Sequence, residues 1–346
     1  MVNPRKSEIS AVDLFCGAGG LSLGLKQAGI HVTAGIDLDP ACSFPYSKNI
    51  GAKFLETDVS DISGQDLQTI WEPQGVRLLA GCAPCQPFSS QRRGIDTRDE
   101  KNWGLLTHFG RITKEAVPEL VTMENVTRLI SQSIFKDFVA NLKNLGYDVV
   151  YGSLYGPNFG LPQERRRLVL LASRIGPVIL PRGHRTRTYK TVRETIGTLP
   201  PVKAGQADPN DPLHCARDLT AINISRLRSS EPGGTWLDWP EELRAPCHQR
   251  STGSSFRAFY GRMEWDKPSP TITTQFFNPG TGRFGHPEQD RTITLREAAM
   301  LQGFPRHYRF LPAEAKTMQK IVGRLIGNAV PPAFGRAVGR ELIKSA

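Results

Sequence analysis

The stretch "ISAVDLFCGAGGLSLGLKQAGIHVTAGID", residues 9–37, decides the fold. It opens on an apolar run over 9–15 and enters a turn holding Gly17, Gly19 and Gly20. The spacing then predicts a helix over 21–29, closed by Gly29, and a second apolar run over 31–37. Strand, glycine turn, helix and strand make the first unit of a doubly wound sheet. The same alternation continues, with strands expected at 52–57, 77–82, 119–126, 148–155 and 167–173. Residues 133–146 read as an amphipathic helix with a glycine stop, and a helix after Asp37 is expected to be interrupted by Pro45. The fold class is therefore α/β, a doubly wound, mostly parallel sheet.

Past residue 175 the alternation dissolves into segments rich in Pro, Gly and charge, expected to form a second, smaller, irregular domain with short strands. Helical spacing returns over 291–304, 313–323 and 331–343. The expected organisation is a catalytic domain over 1–175, an irregular domain over 176–260, and a segment over 261–346 that supports it and returns to the first.

The 346 residues carry a formal net charge of +11, and the basic residues are spread over several segments. That distribution suits a cleft around a polyanion better than a disordered basic arm. No apolar run approaches the roughly 18 residues of a membrane span. The first ten residues lack the apolar core of a secretory signal, and six cysteines do not make a disulfide framework, so the cytoplasm is the expected compartment.

The glycine turn departs from the dinucleotide pattern G-x-G-x-x-G, because Ser22 takes the last position. A nicotinamide or flavin site is disfavoured. Asp37, twenty residues after Gly17, can accept ribose hydroxyls, and Asp58, after the third strand, can meet an adenine amino group. Each alone is equally well a helix cap. Together they describe an adenosine pocket without a phosphate-cradling lysine, which suits S-adenosylmethionine (AdoMet) better than ATP.

In "GCAPCQPFSSQR" (81–92), Cys85 has four readings: zinc ligand, redox thiol, core residue or nucleophile. Zinc needs further donors at suitable spacing, and His214, Cys215, Cys247 and His248 make only a weak separate candidate, so no metal is expected. A redox pair normally opens a helix. Pro84 and Pro87 bracket Cys85 in a loop, unlike an inert core thiol. Glu124 closes a strand in "MENV", while Gln163, Arg165 and Arg167 alternate, as if on one strand face. These neighbours favour the nucleophile. Cys82 is expected to pack at its strand's end, its spacing to Cys85 incidental.

With these segments in this order, the chain resembles the DNA (cytosine-5)-methyltransferases of bacterial restriction–modification systems. The resemblance rests on "DLFCGAGGLSLGL", Asp37, Asp58, "APCQPFS", "ENV", "QERRR", "RMEWDKPSPTITT", "RTITLREAAMLQGFP" and "IGNAVPP". It covers everything except roughly 176–258, where that family carries its target-recognition domain. Two positions depart: Asp37 stands where glutamate is usual, and Ala83 where proline is common.

The resemblance implies a Rossmann-like AdoMet-dependent methyltransferase acting on double-stranded DNA. Cys85 would attack C6 of a flipped-out cytosine, Glu124 would engage N3, and Arg167 would contact O2 with Arg165 in support. Phe15, Gly17, Gly19, Gly20 and Leu21 would hold the cofactor from the first turn. Asp37, Leu38, Asp58 and Val59 would do so from the next two strands, and Asn328 and Val330 from the last motif. Gln86, Ser89, Arg92 and Arg93 would contact DNA, within a segment over 89–104 that closes over the flipped base. A monomer is expected, with any cognate restriction endonuclease acting separately. An RNA cytosine methyltransferase and a catalytically silent DNA-binding homologue are the alternatives.

Overall fold

The computed structural model describes residues 9–84, 104–184, 188–246, 248–250 and 257–346. The chain divides into two compact units, the first built from Met1–Tyr155, Arg166–Arg185 and Ala329–Ala346, the second from Gly156–Arg165 and Thr186–Asn328.

The first unit is a seven-stranded sheet. Its strands are β1 (Ile9–Leu14), β2 (His31–Asp37), β3 (Lys53–Glu56), β4 (Val76–Gly81), β5 (Leu120–Asn125), β6 (Asp148–Tyr155) and β7 (Arg166–Ser173). The order across the sheet is β3-β2-β1-β4-β5-β7-β6. Strands β1 to β5 run parallel, while β7 is antiparallel to both β5 and β6. Every residue of β1 and β5 is buried, as expected of central strands covered on both faces. The order reverses between β1 and β4, so the loops leaving those strands diverge and open a crevice at their carboxyl ends.

Helices α1 (Gly20–Ala28), α2 (Ser43–Ile50), α3 (Gly64–Ile70), α4 (Leu105–Ala116) and α5 (Ser133–Asn144) connect the strands. Pro45 does not interrupt α2. It is the third residue of that helix, in the first turn, where no intrahelical N–H is required. The sequence reading did not anticipate α3 or α4. Phe109 of α4 and Phe135, Phe138 and Leu142 of α5 bury against Leu79, Val121 and Leu170 of the sheet.

In the second unit the described elements are short: α6 (Val192–Ile196), β8 (Ala207–Asp208), β9 (Asp211–Cys215), α7 (Ala221–Arg228), α8 (Leu295–Leu301) and α9 (Gln319–Asn328). The helix expected over 291–304 is confined to α8, because Thr294 starts it with a capping box to Glu297. The helical stretch expected from 313 begins only at Gln319. With little ladder to satisfy main-chain carbonyls, buried arginines do so. Arg262 donates to Leu227 O, His286 O and Gln289 O. Arg291, fully buried, forms a two-bond fork to Glu297 at 2.8 Å on each arm. Burial opposes ionisation of Glu297, but the charge and hydrogen bonds of Arg291 outweigh it and hold the carboxyl well below its usual range.

The last helix, α10 (Pro332–Ser345), belongs to the first unit and packs on α1. A side-chain carbon at Gly24 would lie 2.6 Å from Arg336 N and 2.7 Å from Gly335 Cα, so the two backbones meet almost directly.

Candidate active site

Register lines up the candidate residues at one edge of the sheet. Leu14 of β1 pairs with Gly81 of β4, Gly81 with Met123 of β5, and Met123 with Leu170 of β7. The next row towards the carboxyl edge is Phe15, Cys82, Glu124 and Val169. Arg167 lies two residues from Val169 along β7, so it shares a face with Glu124 as a diagonal neighbour. The antiparallel direction of β7 is what brings its first residues to the edge where β1, β4 and β5 end.

Arg167 Nε lies 3.2 Å from Glu124 Oε1, with both side chains largely buried. The N–H is not aligned on that oxygen, and among the described residues Oε1 accepts no hydrogen bond although it is buried. The other oxygen, Oε2, accepts from Cys82 Sγ at 3.0 Å. Cys82 was expected only to pack at the strand's end; its thiol instead touches the acid. The neighbouring Asn125 donates through Nδ2 to Ala83 O at 3.0 Å and ties the loop after β4 to the end of β5.

The glycine turn follows β1. Phe15 has φ of 56°, unusual for a residue with a side chain, and Gly17 and Gly19 also have positive φ. Gly19 caps α1 in the left-handed region. A side-chain carbon at Gly17 would meet nothing within 4 Å, so the turn faces open space. Gly17 N donates to Asp37 Oδ2 at 2.9 Å and Asp39 N to Asp37 Oδ1 at 3.0 Å. Burial raises the Asp37 carboxyl above its ordinary range, with these two donors acting against the rise. Beside it Leu38 is 60% exposed, an apolar side chain at a strand end with room for a flat ring. Behind the turn, Tyr46, Ser22 and Asp13 form a buried chain in which Ser22 Oγ donates to Asp13 Oδ2 at 2.6 Å and lies 2.8 Å from Tyr46 Oη. An open turn, a carboxylate at the following strand end and an exposed apolar neighbour fit the adenosine part of AdoMet.

A family model described as C-5 cytosine-specific DNA methylase matches residues 9–344. The chain belongs to that family. Type II methylase M.HgiDII of Herpetosiphon aurantiacus is 45% identical over 337 residues, which span 96% of this chain and 94% of that protein. Type II methyltransferase M1.HphI of Haemophilus parahaemolyticus is 30% identical over 344 residues, 97% of this chain and 87% of that protein. Among solved structures, a candidate DNA modification methyltransferase from an E. coli prophage matches with a TM-score of 0.74, covering 97% of this chain and 99% of that one. At 21% identity that likeness concerns the fold.

The other residues singled out in the sequence of this cytosine-5 methylase are found some in one unit and some in the other. Asp58 accepts from Ser60 N at 2.9 Å and caps the turn Val59–Asp61, in which Val59 is buried. Leu21 is buried in the first turn of α1. Gln163, Arg165 and Arg167 do not share one strand face: β7 begins at Arg166, and the first two residues belong to the second unit. Arg165 donates to Ile272 O at 3.0 Å and Gly327 O at 3.2 Å. Gln163 donates to Leu301 O and Gln302 Oε1 and accepts from Ile272 N. Arg165 thus braces the second unit. Asn328 is exposed at the end of α9, and Val330 is buried in the first unit. His214 is held through both ring nitrogens, by Thr294 Oγ1 at 3.0 Å and Pro200 O at 2.7 Å. Burial pushes the Cys16 and Cys215 thiols up, which disfavours either as a thiolate. Cys85, Gln86, Ser89, Arg92, Arg93 and Cys247, and all but the last residue of the segment 89–104, lie outside the described residues. The contacts of Cys82 and Asn125 escaped the sequence reading because their partners lie 42 residues away. A strand-register argument between 77–82 and 119–126 is the signal that pairs them.

Proposed function

We propose that this methylase transfers a methyl group from AdoMet to C5 of a flipped-out cytosine in a specific double-stranded DNA sequence, with Cys85 joined transiently to C6. The observation that carries this reading is the buried Glu124 Oε1, which has no donor of its own and stands beside Arg167 at the edge reached by the loop towards Cys85. A buried polar atom with no hydrogen-bond donor among the described residues is open to a partner from a substrate.

Cytosine C5 is a weak nucleophile in the aromatic ring. Addition of the Cys85 thiolate to C6 forms an S–C6 bond and moves the C5–C6 π pair to C5, while Glu124 supplies a proton to N3. Arg167 holds O2 and keeps positive charge near the thiolate. Bound AdoMet supplies an electrophilic methyl group, and we assign its adenosine part to Gly17, Gly19, Asp37 and Leu38. Loss of the C5 proton to water, departure of the thiolate from C6 and return of the N3 proton to Glu124 restore the ring double bond and the neutral base. The base must leave the duplex stack for this to happen. We assign its closure to 89–104, with Gln86, Ser89, Arg92 and Arg93 on DNA, and sequence reading to the region 176–260. The expected species is a monomer working in the bacterial cytoplasm, on the nucleoid, with any cognate endonuclease acting independently.

DNA carrying 5-fluorocytosine at the target tests the reading, since fluorine cannot leave C5 as a proton does. The wild type is expected to form a denaturant-stable adduct, and Cys85→Ala to bind DNA with neither adduct nor turnover. Turnover by the Ala variant would remove the nucleophile assignment. Bisulfite sequencing of DNA from an expressing host would give the target sequence.

A further inference from the structure

Cys82 stands at the meeting of three strand ends. Its N–H donates to Leu14 O, the last residue of β1, at 3.2 Å. Its Sγ donates to Glu124 Oε2 at 3.0 Å, and the carbonyl of the next residue accepts from Asn125. The loop that leads to Cys85 is therefore tied on one side to the strand feeding the glycine turn and on the other to the candidate acid.

We propose that Cys82 is a positioning residue for the reaction: its thiol pins Glu124 Oε2 and so reserves Oε1 for the target base. The inference rests on the assignment of Glu124 to the base under Proposed function. A glutamate carboxyl turns about its last torsion with little resistance. Arg167 is close by, and a guanidinium favours a two-bond fork with a carboxylate. A Glu124 released from Cys82 can turn into that fork and engage both oxygens with Arg167. The S–H bond, weak in itself, keeps the ion pair to a single misaligned approach and leaves Oε1 without a donor. A small side chain that merely fills space would do none of this.

The test compares Cys82→Ala, Cys82→Ser and Glu124→Ala at saturating DNA and AdoMet, with rates expressed per AdoMet-binding site titrated by calorimetry, so that only folded sites count. Cys82→Ala is expected to lower kcat about tenfold, the worth of one hydrogen bond to a charged group. Its KM for AdoMet should stay within about twofold, the scatter of a neutral substitution. Cys82→Ser, which keeps a donor, should recover most of the lost rate. If Cys82→Ala turns over at the wild-type rate while Glu124→Ala is dead, the inference falls and the assignment of Glu124 stands. Equal losses in the Ala and Ser variants would mean packing, and would also overturn it. Turnover by Glu124→Ala would overturn the assignment beneath it.

Discussion

Asp13 is a buried carboxyl under the glycine turn, and among the described residues no salt bridge reaches it. Burial raises it to about 7; the Ser22 hydroxyl opposes that rise and the nearby Asp37 adds to it. Its Oδ1 has no hydrogen-bond partner among the described residues. The folded state therefore binds this proton more tightly than the unfolded chain. The stabilisation is fully present below about pH 4 and is lost as pH rises through about 7. Asp13→Asn keeps the shape and an acceptor for Ser22 but cannot ionise. Thermal melts of the two proteins from pH 5 to 8 should show the wild type losing roughly 1–3 kcal/mol relative to the variant. Parallel curves would mean that Asp13 is ionised in the folded protein. At this scale the residue types were legible: Asp37, Glu124 and Arg167 are polar groups at the ends of apolar runs. Their company was not, because Cys82 and Tyr46 acquire their roles from neighbours remote in sequence.

Elements were legible wherever an apolar run met a glycine. β1, α1 and β2 follow the pattern of residues 9–37 within one residue, and Gly29 closes α1 in the left-handed region. Pro45 misled because proline is tolerated in a first turn, and the alternating arginines misled because period two does not say where a strand begins. What the element pattern could not reveal is helix against helix. Gly24 faces α10 across a gap that no side chain can enter. In Gly24→Ala the new carbon meets backbone, which cannot swing aside, so the helices must part. A loss of about 1–3 kcal/mol is expected, read as a lower melting temperature together with weaker AdoMet binding, since α1 carries the glycine turn. Unchanged melting would show that α10 is free to shift.

For the whole molecule, the fold class was legible and the interleaving was not. The sequence suggested a boundary near 175, whereas Gly156–Arg165 joins the second unit and Arg166–Arg185 the first. Composition cannot show this, because both stretches are ordinary loop and strand. Exchanging 176–258 with the corresponding region of a relative of different specificity should carry the methylated sequence with it, read by bisulfite sequencing. Unchanged preference would move recognition to another part of the chain. The late arrival of α10 also bears on how the protein is made. Once Arg185 has been synthesised, the ribosome must go on through Ser345, the end of α10, before the cover for α1 is complete. At about 5–20 residues per second this takes roughly 10–30 s. Through that interval the face of α1 that α10 covers in the finished fold has no partner, so slower translation or a shortage of chaperones is expected to lower the yield of native protein.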